Sequence, residues 1–380
     1  MQQNTRPDSR GFVARASIEA ISPYIAGKPI EETAREYGLD VKDIVKLASN
    51  ENPLGMPQSA VDAALAAATG ANRYPDGNAR LFRDAVARRH GVSPDWVIAG
   101  NGSDEILSLA ARLVLAPGLR CIYSQYSFSV YELSAQECGA ECVEVPARDF
   151  AVDLEGILAA ADSSARLIYI TNPNNPTGYA LTREALEDFM NRVPGEVLVV
   201  LDEAYADFLP EALQFDSIEL VRRHPNLMVT RTFSKAYGLA GLRAGYGVAH
   251  APVIEMMNRI RPPFNMNLIA QAAAAASLED REFLARVRAV NREGLERLEA
   301  FFEARGVNYL KSCANFMLVQ TGPQTAELYT ELLRRGVIVR PVKSYGLDDW
   351  MRISVGTARE LDRFFKAYDE ARAALDARAS

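Results

Sequence analysis

The chain is poor in the residues that build metal centres and disulfide frameworks. Among its 380 residues are only four cysteines and three histidines. Cys121, Cys138, Cys142 and Cys313 fall in predicted strands or at predicted helix ends, without the short spacings that staple small secreted domains. Cys138 and Cys142 lack a histidine or second cysteine pair at zinc-ligand spacing. His90, His224 and His250 are scattered, and each is expected on a helix or loop surface. Chemistry run by a metal or by histidine is therefore not expected. No apolar run is long enough to span a bilayer, and residues 1–11 lack the apolar stretch of a signal peptide. They read as a flexible tail, and the chain as cytoplasmic. Basic charge is also short, with 42 Lys and Arg against 49 Asp and Glu, which argues against bulk nucleic-acid binding. What is present is an ordinary globular balance, 48% hydrophobic and 24% charged, in a chain long enough for more than one domain.

From Trp96 to Val248 short apolar runs alternate with amphipathic helical stretches. Strands are expected at Trp96–Ala99, Arg120–Tyr123, Glu141–Val145, Leu167–Thr171, Val197–Leu201 and Leu227–Thr230, with a helix over Thr182–Val193 capped by Thr182. Repeated strand–helix units predict an α/β fold with a mostly parallel sheet covered on both faces. After Leu278 come a long charged helix (Arg281–Arg305), strands at Asn315–Gln320, Val337–Arg340 and Met351–Val355, and helices at Thr325–Arg335 and from Arg359. That is the pattern of a smaller α+β domain. The expected division is an N-terminal arm over 1–50 with no sheet pattern of its own, a large domain over 51–278 and a small domain over 279–380.

Lys235 stands out by its surroundings. Thr232-Phe233-Ser234-Lys235-Ala236-Tyr237-Gly238 leads to Gly241-Leu242-Arg243, a run of hydroxyl, aromatic and small residues unlike a solvated helix face. An amine held among anion-binding groups suits a covalent bond to a phosphorylated aldehyde, and pyridoxal phosphate fits. Three further segments follow predicted strands, where ligands sit in open α/β sheets. Gly100-Asn101-Gly102-Ser103-Asp104 opens a helix whose free N–H groups can hold phosphate, although Ser103 could equally be a plain N-cap. Asn172-Pro173-Asn174-Asn175-Pro176-Thr177-Gly178 is a rigid turn able to aim an amide. Asp202-Glu203-Ala204-Tyr205 puts a carboxylate at the end of a central strand, costly unless paired with an arginine or a protonated ring nitrogen.

Together with Ser22-Pro23-Tyr24, Leu47-Ala48-Ser49-Asn50-Glu51-Asn52-Pro53, Arg73-Tyr74-Pro75 and Arg352-Ile353-Ser354-Val355-Gly356, these segments resemble the class I/II aminotransferase group of fold-type I pyridoxal-phosphate enzymes. Within it the likeness is greatest to the histidinol-phosphate aminotransferases, and it runs from Ser22 to the terminal helix. The resemblance implies a covalent and proton-moving role for Lys235, and pairing of Asp202 with the pyridine nitrogen. It implies Asn175 and Tyr205 on the ring oxygen, Phe128 stacked on the ring, and Ser103, Asp104, Ser234 and Arg243 on the phosphate. Tyr74 would reach the phosphate of a neighbouring subunit, making a homodimer with shared sites. Tyr24, Asn50, Arg340 and Arg352 would bind the substrate. Two positions depart from the family pattern: Phe128 often has tyrosine in relatives, and Tyr126 often has proline. Phe316 is expected in the core.

The implied reaction transfers an amino group between L-histidinol phosphate and 2-oxoglutarate, within histidine biosynthesis. The same motifs would serve an aromatic amino-acid aminotransferase or a related amino-acid-phosphate decarboxylase. A cofactor-sensing transcription regulator would need an added DNA-binding domain, for which residues 1–50 are too short. A nucleotide-binding protein would need a third glycine after Gly102 or a Gly-Lys-Ser/Thr loop, and neither is present.

Overall fold

The aliphatic runs pair into one seven-stranded sheet. In the computed structural model, which describes residues 11–24 and 27–379, its strands are β1 (Val97–Asn101), β2 (Arg120–Ser124), β3 (Glu141–Val145), β4 (Ala165–Thr171), β5 (Leu198–Asp202), β6 (Leu227–Thr232) and β7 (Ala244–Val248). Apart from Gly11, the expected tail lies outside the described residues. Spatial order is β1-β7-β6-β5-β4-β2-β3. Neighbours pair in parallel except β7, which runs antiparallel to both β1 and β6.

β5 shows why the sheet is covered on both sides. Leu198 and Val200 pack on one face with Ile106, Leu109 and Tyr131, while Val199 and Leu201 pack on the other with Phe82 and Phe189. Each side chain so buried contributes about 2 kcal/mol.

β7 was not expected as a strand. Its Ala-Gly-Tyr-Gly-Val run lacks the aliphatic density of the other strands, and the glycines are there because neighbours approach closely. A Cβ on Gly245 would lie 2.3 Å from the backbone nitrogen of Ser103.

The second layer is a four-stranded antiparallel sheet in the order Arg340–Val342, Leu347–Ser354, Phe316–Gln320, Tyr309–Leu310. The single expected strand Val337–Arg340 is thus two. Val337–Ile338 pairs in parallel with Val45–Lys46, so the N-terminal segment, read as having no sheet pattern, does supply a short strand. Ala34, Ile44 and Ala48 from that segment pack on Leu333 and Ile338. The long helix Arg281–Glu303 serves both layers: Phe283, Leu284 and Val287 join the large core, and Leu298, Phe301 and Phe302 the small one.

The histidines are half-buried rather than on the surface. His90 Nε2 meets the Tyr246 hydroxyl at 2.8 Å, and His250 Nε2 meets the Val221 carbonyl at 2.7 Å. Burial, reinforced by nearby arginines, pushes His90 down to about 3, so it stays neutral at physiological pH. All four cysteines are free thiols.

Candidate active site

The antiparallel run of β7 explains how one sheet edge collects the site. β1, β4, β5 and β6 deliver their C-terminal ends there, and β7 delivers its start, where Arg243 precedes Ala244. Tyr24, Asn50, Ser103, Asp104, Phe128, Asn175, Asp202, Tyr205, Ser234, Lys235, Arg243, Arg340 and Arg352 border a single cavity of about 400 Å³. Tyr74 does not; it is 82% exposed and stacks on Phe264 at 4.7 Å.

Lys235 sits in a turn held by Gly238 N–H donating to its carbonyl and by Leu239 N–H donating to Phe233. Its Nζ donates to the Ser49 carbonyl at 2.9 Å. Burial, with the Arg352 charge behind it, pulls the amine from 10.5 down to about 8. A substantial neutral fraction near physiological pH is what a nucleophile or base needs.

Asp202 ends β5 and is 3% exposed. It accepts from the Tyr131 hydroxyl at 2.8 Å, the Thr230 hydroxyl at 3.2 Å and the Ala204 N–H at 3.2 Å. All three donors are neutral. Burial outweighs them and pushes the carboxyl from 3.8 up to about 6. That displacement corresponds to roughly 3 kcal/mol against the ionised form. A cation in contact would contribute about 4 kcal/mol at an effective dielectric of 20, enough to reverse the balance. Tyr131, stacked on Tyr169 at 4.5 Å and edge-on to Phe128 at 6.0 Å, escaped the sequence reading. Its spacing three residues after Phe128, on the first turn of helix Val130–Glu137, was the available signal.

The plain-cap reading of Ser103 fails: Gly102 is the N-cap, and Ser103 is the first residue of the helix Ser103–Val114. A Cβ on Gly102 would lie 2.5 Å from Arg243 Nη2, so the guanidinium lies directly over the helix start. Arg243 Nη1 donates to Ser234 Oγ at 3.3 Å, and Nη2 pairs with Asp104 at 3.2 Å. Helix N–H groups, a hydroxyl and a guanidinium facing one another fit a phosphate group.

The asparagine-rich turn divides its labour. Asn172 Oδ1 accepts from Leu181 N–H at 2.8 Å, and Asn174 Nδ2 donates to the Tyr126 carbonyl at 2.9 Å, so both serve the chain itself. Asn175 alone of the three borders the cavity. Its Oδ1 accepts from Arg352 Nη1 at 2.5 Å, which leaves its NH2 group as the available donor. Tyr126 takes a positive φ of 56° and stacks on Phe150 at 5.5 Å.

Arg352 is 7% exposed. Its Nη2 donates to the Ala48 carbonyl at 2.7 Å, and its Nε is buried without a partner. Among the described residues no carboxylate pairs with it, and its partners are an amide oxygen and a carbonyl. Arg340 lies 6.0 Å from the centre of the Tyr24 ring. Phe316 is fully buried, as expected, and backs both Tyr205 (5.2 Å between ring centres) and Arg352 (5.4 Å).

Among the described residues, one cavity thus gathers a half-buried amine, a buried acid without a counter-ion, an arginine without a carboxylate and groups suited to phosphate, a set that fits an enzyme using a phosphorylated aldehyde. Residues 42–367 match the family described as aminotransferase class I and II, and the chain belongs to it. It is 52% identical over 365 residues to histidinol-phosphate aminotransferase 2 of Ralstonia nicotianae, covering 95% of this chain and 98% of that one. It is 51% identical over 357 residues to histidinol-phosphate aminotransferase 1 of Cupriavidus pinatubonensis, covering 93% and 95%. The crystal structure of histidinol-phosphate aminotransferase from Sinorhizobium meliloti in complex with pyridoxal-5'-phosphate superposes with a TM-score of 0.87 at 30% identity, covering 97% of this chain and 98% of that one.

Proposed function

We propose that the chain is a pyridoxal-phosphate-dependent aminotransferase that exchanges the amino group of L-histidinol phosphate with 2-oxoglutarate, a step of histidine biosynthesis. The observation that carries the substrate side is Arg352, a buried guanidinium with neutral acceptors only and an unpartnered Nε. An anion arriving there meets a charge already desolvated and held in place. The names of relatives about half identical over nearly the whole chain support histidinol phosphate as that anion's source.

When bound, pyridoxal phosphate supplies an electrophilic carbon that carries the amino group between the two halves of the reaction and a ring that withdraws electrons from it. Ser103, Asp104, Ser234 and Arg243 hold its phosphate. Asp202 holds the ring nitrogen, Phe128 covers a ring face, and Asn175 and Tyr205 face the ring oxygen. Phe128 lacks a phenol but keeps the aromatic face that stacking requires. The Lys235 amine makes the covalent attachment and, once displaced by the substrate amine, takes a proton from the substrate's amine-bearing carbon. Arg352, with Arg340 and Tyr24, orients the substrate's anionic end so that this C–H bond faces Lys235, while the amide of Asn50, expected there, is engaged by Ser354 and Tyr205. Both amino donors are anionic, so one arginine site serves each half-reaction.

The arm over 1–50, the large domain over 51–278 and the small domain over 279–380 complete this reading. So does a homodimer in which an exposed Tyr74 reaches the partner's phosphate site. No described helix is long and apolar enough to cross a membrane, and a cytoplasmic location accords with a biosynthetic role. The experiment is the half-reaction: mix the loaded enzyme with histidinol phosphate or with phenylalanine, without acceptor, and follow the visible absorbance. Rapid bleaching with histidinol phosphate is expected. A strong preference for phenylalanine overturns the substrate while leaving the chemistry, and release of carbon dioxide from an O-phosphoamino acid, run as a third arm, would mark a decarboxylase.

A further inference from the structure

Asn50 was expected on the substrate, but its hydrogen bonds point elsewhere. It is 1% exposed and takes a positive φ of 55°, which asparagine tolerates better than most residues. Its backbone N–H donates to Ser354 Oγ at 2.9 Å, which leaves the serine proton free to donate to Asn50 Oδ1 at 2.8 Å. With Oδ1 occupied, the amide must turn its NH2 to the other side, where Nδ2 meets the Tyr205 hydroxyl at 2.9 Å. Asn315 Nδ2 fastens the Asn50 carbonyl at 3.0 Å. The Tyr205 oxygen is therefore an acceptor from Asn50, and its own proton has to point to a different acceptor.

We propose that Ser354 and Asn50 are positioning residues that polarise Tyr205, turning its phenolic proton toward the cofactor's ring oxygen and so setting that oxygen's charge. The arm supplies Asn50, the small-domain sheet supplies Ser354, and Tyr205 follows β5, so the small domain acts on the electronics of a ring bound to the large sheet. Burial raises Tyr205 above its ordinary value, with Arg352 and the Asn50 bond opposing and Asp202 and Asp104 adding, so it keeps the proton it is to donate. Arg352 borders the same cavity, and its charge favours negative charge on the ring oxygen.

This rests on the cofactor reading above, and the test separates the two. The readout is the pH titration of the visible chromophore formed with pyridoxal phosphate, without substrate. Its basic form carries more charge on the ring oxygen, so weakening the donor raises the titration midpoint. Ser354→Ala should raise it by about half a pH unit and Asn50→Asp, which accepts from Tyr205 instead of donating, by about one or more. Ser354→Thr, which keeps the hydroxyl, should titrate like the wild type. Ser354→Ala is decisive, being small and uncharged, even where Asn50→Asp folds poorly. A Ser354→Ala midpoint equal to the wild type's overturns the proposal, as does a Ser354→Thr midpoint raised as far as that of Ser354→Ala. If the wild-type chain forms no chromophore, the cofactor reading fails instead.

Discussion

Asp202 and Glu203 are neighbours in sequence, equally buried at 3% exposure, and chemically almost the same. Their surroundings differ in one respect. Glu203 pairs with the Arg231 guanidinium at 2.8 Å and accepts from Ser217 Oγ at 2.8 Å. Asp202, facing the cavity, receives only neutral donors. The arginines repeat the contrast: Arg231 has its carboxylate, while Arg352 has an amide oxygen and a carbonyl. A buried charge neutralised within the chain is part of the structure. One supplied with hydrogen bonds but no counter-charge is prepared for something that brings its own.

The sharpest way to break this comparison is to neutralise each carboxylate in turn. Asp202→Asn should lower kcat by about 10³-fold or more, because it removes the charge proposed to keep the ring cationic. It should leave the apoenzyme no less stable, since about 3 kcal/mol of strain on the ionised form goes with it. Glu203→Gln should do the opposite: about 3 kcal/mol lost in denaturant unfolding, from stranding Arg231, with kcat per folded molecule little changed. Should both variants lose stability alike, or both lose only turnover, the distinction is wrong.

Arg352→Met comes next. Loss of a charge-assisted contact should raise KM for the phosphorylated donor roughly 10- to 100-fold in steady-state assays, with the cofactor still bound. An unchanged KM would return Arg352 to a structural role.

The smallest effect is in pH. Capture of pyridoxal phosphate needs neutral Lys235, so the rate at which apoenzyme gains visible absorbance should climb with pH and level off above about 8. The folding linkage has the same sign. Between about 8 and 10.5 the unfolded amine holds a proton that the native amine has lost, so this group makes the apo chain more stable as pH rises. A capture rate still climbing steeply near pH 10 would show an amine at its ordinary value.

What was legible in the sequence follows the same line of physics. β5 and Asp202 could be read because an unbroken aliphatic run ending in a carboxylate has few explanations. Lys235, Ser103 and Arg243 were visible through their glycine-rich flanks. β7 was not, because Gly245 and Gly247 record the close approach of helix Ser103–Val114, a tertiary fact. Tyr131 and Thr230 were missed because an aromatic and a threonine in apolar elements look like core until the carboxylate they serve is located. The bond from Asn50 to Tyr205 joins residues 155 apart in sequence, and no local pattern announces it.

The proposed capture of the cofactor by the depressed amine of Lys235 can be tested directly. The direct measurement is to load the protein with pyridoxal phosphate, reduce it with borohydride, digest it and locate the modified peptide by mass spectrometry. One pyridoxyl group per chain on Lys235, absent in Lys235→Ala, is the predicted result. Stoichiometric labelling of any other lysine, or an undiminished chromophore in Lys235→Ala, would contradict it.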